Sequence, residues 1–564
     1  MPSIYKKGFF MLSMLSVLSG RIVQPLSEQR HIHEALTRHN FFPNQKSVSE
    51  IPPCFNSLNF TPEISSLLSR IPESGFRKRI GYDLVEYSST RHNNIPRTLS
   101  LIHPKAYSLL VEKIHENWDE IKHIKLNENS MIKPDRHGDG RMIIMNYEDP
   151  EKKILRSLED GFGCKYRAHT DISGCFNSIY THSIPWAVIG FDESKKKLEN
   201  GGDKHWSDYI DMFQRKTKRG ETQGIPIGPA TSTIVVELIL GKIDAELNGK
   251  GFVFRRYIDD YTCFCKTYEE AEKFISELNS TLMKFKMQLN LHKTSIVELP
   301  RPLNDGWVSE LISALPTKFI TENNSKRKLT SEEVTQFLDY AIGINKNTAD
   351  GAVIKFAIGL VIYSVENSSA QSLFNYITNL AWHFPMLLHF LDTLIDNHDL
   401  DTAGLEKKLN LIAVENSEKK RSDGMAWSLY ILKKNGIELY EDTAKSILQS
   451  NDCIAICTLH SFRRYDQEIV DFANDIISKS AYDKDQYWIL LYQLFINNLI
   501  ENPYQGDECF KKLKEHEVNF MPEKYECTKA EKYSNNVVNN LFGNLNSDNE
   551  EIEAPSYEEW LKNN

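Results

Sequence analysis

Three aspartates carry the strongest chemical signal in the 564-residue chain. Asp259 and Asp260 stand side by side in Gly251-Phe-Val-Phe-Arg-Arg-Tyr-Ile-Asp-Asp-Tyr-Thr-Cys-Phe-Cys265, between two apolar runs of strand character. Adjacent carboxylates at the tip of an apolar hairpin repel and raise each other's pKa unless a cation neutralises them. A divalent metal is the expected cation. Asp171 lies upstream in Tyr166-Arg-Ala-His-Thr-Asp171-Ile-Ser-Gly-Cys-Phe176, where a short strand runs into a turn and then a helix. Alone, it is unremarkable and reads as a helix-capping residue. Between the two sits Gln223-Gly-Ile-Pro-Ile-Gly-Pro229, a Gly/Pro loop opening into a helical stretch from Ser232 to Ile243. Its glycines permit close approach to a ligand, with an ordinary loop as the even alternative.

These residues need elements to hold them. Strand-like and helix-like patterns alternate over 161–183, 222–243 and 251–300, which suits an α+β domain. Beyond about 310 the apolar residues recur at helical spacing, as in Val334-Phe337-Leu338-Ala341 and Ile354-Ala357-Ile358-Val361. Blocks of this kind continue to about 500 and fit stacked helix pairs of HEAT-like character. Four regions are expected: an N-terminal helical or extended segment at 1–75, an α+β domain at 76–305, an α-helical repeat domain at 306–543 and an acidic mobile tail at 544–564. Phe9 to Leu18 is apolar but too short to span a bilayer; a buried helix or a misassigned start is expected there.

Composition narrows the class. A hydrophobic content of 41%, a charged content of 26% and a net charge of -10 describe a soluble globular chain, and they argue against polyanion binding by the whole surface. A local basic groove stays compatible. The nine cysteines show no paired CxxC and no zinc spacing with histidine, so they read as reduced thiols of a cytoplasmic protein. Arg77, Lys78, Arg79 and Arg91 read equally as a track for a nucleic-acid backbone or as a solvated face. Arg255 and Arg256 are expected either to contact phosphates or to support the turn.

In order, the Asp171 segment, the Gln223 loop and the Asp259-Asp260 pair resemble motifs A, B and C of a reverse transcriptase palm. Arg97-Thr-Leu-Ser-Leu-Ile-His-Pro104 resembles the fingers motif ahead of motif A, and Leu289-Asn-Leu-His-Lys-Thr294 resembles motif D. The likeness covers about 76 to 300. With the helical half beyond 310, the closest resemblance is to the abortive-infection and defence-associated reverse transcriptases of bacteria, so right-hand fingers and palm followed by an all-α domain are implied.

The resemblance implies DNA synthesis from dNTPs by a two-metal mechanism in antiphage defence, with template-independent and protein-primed synthesis among the family's habits. Asp171 and Asp259 would bind two Mg²⁺ ions, or Mn²⁺ in their stead, with Asp260 supporting and the Ile172 carbonyl completing a site. Phe176 would be the steric gate against ribonucleotides, Gln223 and Gly224 would line the base and sugar pocket, Arg97 would grip the triphosphate, and Lys293 would serve as general acid for pyrophosphate. DNA product and RNA are the implied partners, with a homo-oligomer and no membrane. A retron or mobile-element enzyme copying a cognate RNA, and an inactive RNA-binding or phage-sensing scaffold, are the alternatives.

Overall fold

The computed structural model describes residues 27–45, 50–144, 150–201, 203–302, 305–315, 328–348 and 351–522. The apolar run at 9–18 and the acidic tail at 544–564 lie outside the described residues. Among those residues there are 25 α-helices and two antiparallel sheets. The first sheet is a hairpin of β1 (Leu84–Thr90) and β2 (Pro96–Ile102), in register from Leu84 opposite Ile102 to Thr90 opposite Pro96. The second contains β3 (Tyr166–Asp171), β4 (Phe254–Tyr257), β5 (Asp260–Cys265) and β6 (Ser295–Glu298), in the spatial order β4-β5-β3-β6.

Alternation explains how the second sheet presents its chemistry. Ala168, Thr170, Phe254, Arg256, Tyr261, Cys263 and Cys265 are buried, whereas Arg167, His169, Thr262 and Phe264 on the other face are half-buried. The helix Tyr268–Lys284 packs against β3 and β5 through Ala271, Phe274, Leu278 and Leu282, at helical spacing, and begins at Thr267, whose hydroxyl caps the Glu270 amide. Beside it runs the helix Ala230–Gly249, which starts at Pro229 and is apolar nearly all round because it passes through the core. Only two of its acidic residues, Glu237 and Asp244, are buried, and they lie two turns apart on one face.

The C-terminal half is a helical array in which successive helices pack on their neighbours, as Leu405–Glu418 does on Ser422–Lys434. It docks on the first hairpin. Ser88 and Thr90 of β1 donate their amides to the Ser422 hydroxyl and the Asp423 carboxylate, both at 2.8 Å, and Trp488 donates its indole N–H to the Leu101 carbonyl at 3.0 Å. Arg77 and Asp485 form a buried two-armed pair at 2.5 and 2.8 Å. Arg77 is therefore neither a phosphate track nor part of a solvated face: the charged end is consumed by a partner 408 residues away. Lys78, Arg79 and Arg91 are exposed. All eight cysteines in the described residues are free thiols. No helix among the described residues is long and apolar enough to cross a membrane.

Candidate active site

Asp171 closes β3 and stands directly opposite Asp260, the first residue of β5, on the open face of the sheet. Like charges opposed across a ladder are destabilising. Pairing of Tyr257 with Asp260 leaves Ile258 and Asp259 as the turn of the β4–β5 hairpin. Ile258 sits at φ 56°, a left-handed conformation that a β-branched residue rarely adopts, so the tip is held under local strain. Two bonds hold it: the Ile172 amide donates to the Asp259 carbonyl at 3.1 Å, and an Arg256 guanidinium N–H donates to the Ile258 carbonyl at 2.8 Å.

Arg256 is fully buried beneath this turn. Its guanidinium meets Glu237 at 2.8 and 2.9 Å and Asp244 at 2.8 Å, and Asp244 also accepts the Tyr261 hydroxyl at 3.0 Å. Burial alone would lower its pKa, but Asp244 and Glu237 hold it well above the ordinary arginine value. Of the two readings open for Arg256 in the sequence, the structure gives support of the turn. Arg255 is also engaged, by Asp160 at 2.7 Å.

The electrostatics around the aspartates follow from crowding and burial. Burial first, then Asp171 and Asp260, push the Asp259 carboxyl up to about 7. Asp260 is raised as well, by burial and then by Asp171. Lys293 extends its ammonium to Asp171 at 2.6 Å, and that contact raises the lysine's own pKa. The segment carrying it is stitched to β3, because the Asn290 amide donates to the Asp171 carbonyl at 2.7 Å and the hydroxyls of Thr170 and Thr294 meet at 2.7 Å. The second carboxylate oxygen of Asp171 is buried and has no hydrogen-bond partner among the described residues. An unpaired buried carboxylate oxygen with two further carboxylates on the facing hairpin offers the oxygen chemistry that a hard divalent cation such as Mg²⁺ takes, although the three side chains do not bring their oxygens within 4.8 Å of one another.

A partly open pocket, with room for about one water, is lined by Gln45, Glu50, Arg97, Leu99, Phe176, Gly228 and Thr233, and Arg97 in its wall feels the charge of Asp259. Arg97 projects from β2 and is half-buried, and its pKa is lowered by burial although Glu50 and Asp259 oppose that shift. Phe176 stands at the start of the short helix Cys175–Ser178, with 8% of its surface exposed. Behind it, the Ile225 amide donates to the Phe176 carbonyl at 2.9 Å, and the Gly224 amide to the Ile179 carbonyl at 2.8 Å. The structure thus brings Arg97 and Phe176 to one pocket. Gln223 and Gly224 are not among its lining residues. The Gln223 side chain instead clasps the carbonyls of Asn177 and Ser178 at 3.2 and 3.0 Å, and Gly228 supplies the loop's wall. Glycine is required at 228: φ is 124°, and a Cβ there would come within 2.7 Å of Pro43. The same loop is tied to β2, since the Ser100 amide donates to the Ile227 carbonyl at 2.8 Å.

Gln45 and Glu50 carry no signal in the sequence, because they are far from every motif. Gln45 spans the pocket's edge, donating to the Gly228 carbonyl at 2.5 Å and accepting the Thr233 hydroxyl at 2.6 Å. Glu237 and Asp244 could have been found: two acids on one face of an otherwise apolar helix call for a buried cation.

A four-stranded antiparallel sheet that presents carboxylates from a strand end and a hairpin tip has the makings of a nucleotidyl-transfer palm. A family profile described as "Reverse transcriptase (RNA-dependent DNA polymerase)" matches residues 119–337, less than half of the chain. The match takes in Asp171, Phe176, Gln223, Asp259, Asp260 and Lys293, and leaves Arg97 outside. The chain therefore carries a reverse transcriptase domain and is an enzyme, an RNA-directed DNA polymerase. Such a domain uses dNTPs, a nucleic-acid template and divalent metal ions. No curated protein matches. Among solved structures, the apo telomerase of Candida tropicalis is similar at 11% identity and a TM-score of 0.29, covering 71% of this chain and 68% of that one. Telomerase of Candida albicans, in complex with a fragment of telomeric RNA, gives 12% identity and a TM-score of 0.27 over 73% and 67%. Those scores are too low to carry an argument.

Proposed function

We propose that the chain is a DNA polymerase of antiphage defence, in which Asp171, Asp259 and Asp260 form the metal-binding centre and synthesis proceeds without a conventional template, from a protein hydroxyl. The observation that carries the chemistry is Asp171 set opposite Asp260 across the ladder, with Asp259 on the adjoining turn pushed up to about 7 and acting on the charge of Arg97. Two Mg²⁺ ions bound there, or Mn²⁺, supply charge stabilisation to the attacking and leaving oxygens of nucleotidyl transfer.

The chain's own residues divide the remaining work. Asp171 and Asp259 would hold the ions, with the Ile172 carbonyl completing a site, and Asp260 would keep the local field negative. Arg97 binds triphosphate oxygens with its planar fork. Phe176 closes the floor of the pocket, where a ring excludes a 2′ hydroxyl. Gln223 and Gly224 act through the backbone behind Phe176. Lys293, already within 2.6 Å of Asp171, stands ready to give a proton to departing pyrophosphate.

What supports the defence reading is architecture: the helices described between 328 and 522 pack on one another and dock on the hairpin ahead of the palm, which we read as a HEAT-like repeat domain (306–543) following fingers and palm (76–305) and a leading segment (1–75). The same reading has the chain cytoplasmic and self-associating.

Purified protein incubated with labelled dNTPs and Mg²⁺, with and without primer and template, tests it. The expected result is incorporation without template, with product that stays with the protein through phenol extraction and is released by protease. Asp259→Asn should lower incorporation by roughly three orders of magnitude, as for several kcal/mol of lost charge stabilisation. Synthesis that requires one defined RNA would replace the defence reading with the retron one. Unchanged incorporation in Asp259→Asn would remove the metal-centre assignment.

A further inference from the structure

We propose that His33, Glu112 and His115 form a second metal site, for one dication of the zinc class, that clips the helix Glu28–Glu34 to the helix Pro104–Glu116. It is independent of the polymerase centre and does not rest on the proposed function. Among the described residues, these three make the one group of histidine, cysteine and acidic side chains whose ligand atoms all lie within 4.8 Å of one another.

Their chemistry is that of a transition-metal site rather than a magnesium site. Two imidazole nitrogens and one carboxylate oxygen suit zinc, whereas Mg²⁺ favours oxygen alone. Glu112 and His115 are one turn apart on the same helix face, and His33 approaches from the other helix, with its ring stacked on His115 at 4.1 Å and 24°. His33 Nε2 is 2.7 Å from Glu112 Oε1.

The carboxylate is already oriented. The Ser65 hydroxyl donates to Oε1 and the Ser66 hydroxyl to Oε2, both at 2.9 Å, in the way that hydroxyls around a metal centre fix a ligating carboxylate. The ring of His115 stacks on His33 and makes no hydrogen bond among the described residues, so its nitrogens are uncommitted. Arg30, whose charge reaches His115, is paired with Glu34 and Glu63, each at 2.6 Å.

Ligand atoms of a tetrahedral zinc site lie about 3.3 Å apart, given metal distances near 2.0 to 2.1 Å. Seating the ion therefore asks His33 and Glu112 to part by roughly half an ångström and His115 to swing in. The site has a structural consequence. From His33 the chain continues through Ala35–His39 to Asn40, whose carbonyl accepts the Ala230 amide at 3.1 Å, and then to Gln45 at the pocket's edge. A clip at His33 anchors the segment that reaches this pocket.

The test uses the full chain, stripped with chelator, reloaded with Zn²⁺ and dialysed, with metal content and thermal unfolding as readouts. One zinc per chain should remain in the wild type and in Asp259→Asn, which separates this site from the polymerase carboxylates. His115→Gln, at a side chain that donates and accepts no hydrogen bond, should keep its circular dichroism and retain zinc at least roughly tenfold more weakly. Zinc should raise the unfolding temperature of the wild type and leave that of His115→Gln unmoved. Co²⁺ in its place should give the visible bands of a tetrahedral centre. A wild type that keeps no zinc, or a His115→Gln protein that keeps it as well as the wild type, would overturn the proposal.

Discussion

Two hairpins bring charge to the same cleft, and they are held in opposite ways. The β4–β5 hairpin presents Asp259 and Asp260 on a turn supported from below by Arg256, Glu237 and Asp244, partners that lie within twenty residues of it in sequence. The β1–β2 hairpin presents Arg97, and beside its tie to the Ile227 carbonyl it is held by Ser422, Asp423 and Trp488, with Asp485 on the Asp83 amide just ahead of it, all more than 300 residues away. The palm therefore carries its own foundation. The hairpin that bears Arg97 is thus fastened in part by the distant helical array.

Breaking the local foundation should have the largest effect. Arg256→Ala leaves Glu237 and Asp244 buried without their cation, a change of the kind that costs about 3 to 5 kcal/mol, and it frees the strained Ile258 turn. The expected outcome in denaturant unfolding is a stability loss of that size, with incorporation lost alongside it. Arg256→Met together with Glu237→Gln and Asp244→Asn should recover much of the stability, because no charge is left unpaired, while leaving incorporation low. Recovery of both would show that the turn does not need Arg256.

The remote foundation should give a different signature. Arg77→Ala removes the partner of buried Asp485, which also accepts the Asp83 amide at 3.0 Å and the Tyr504 hydroxyl at 2.9 Å. A loss of about 2 to 4 kcal/mol is expected. In the fraction that stays folded, the dNTP KM should rise several-fold with little change in kcat, because the carboxylates are untouched and only the hairpin bearing Arg97 is loosened. Equal falls in kcat and kcat/KM would mean that the two hairpins are not separately held.

The same contrast decides what the sequence could reveal. Asp171, Asp259, Asp260 and Lys293 fall in short segments whose residue types speak for themselves, and the strand-turn-helix at Asp171 and the hairpin at Asp259 were legible from alternation and periodicity. The helical half was legible as helices, because apolar spacing is a local property. What it packs against was not. Nothing near Arg77 announces Asp485, and a run of basic residues reads as a surface until its partner is known. Gln45 and Glu50 were hidden for the same reason, since a pocket wall contributed from outside the motifs leaves no pattern. The Gln223 loop borders the pocket through Gly228, while the Gln223 side chain turns to the Asn177 and Ser178 carbonyls, contacts that no local pattern announces.

The smallest expected effect concerns protons at the palm. Burial, Asp171 and Asp260 raise the Asp259 carboxyl from 3.8 to about 7, so the folded chain binds a proton there more tightly than the unfolded chain does. The sign follows: this group favours folding at low pH, and that contribution is lost as pH rises from about 4 through 7 and is flat above. Asp259→Asn should then match the wild type near pH 4 and be more stable near pH 8 without added metal, by on the order of 1 to 3 kcal/mol. Mn²⁺ or Mg²⁺ competes with the same proton, so metal affinity measured by titration should rise about tenfold per unit up to pH 7 and level off beyond it. The β1–β2 hairpin offers the contrast, for Arg97 stays charged throughout that window. A stability difference between wild type and Asp259→Asn that does not vary between pH 4 and 8 would mean that the hairpin tip is solvated and its carboxylates do not feel one another. In that case the strain at Ile258, rather than charge repulsion, would be the energy that metal binding has to overcome.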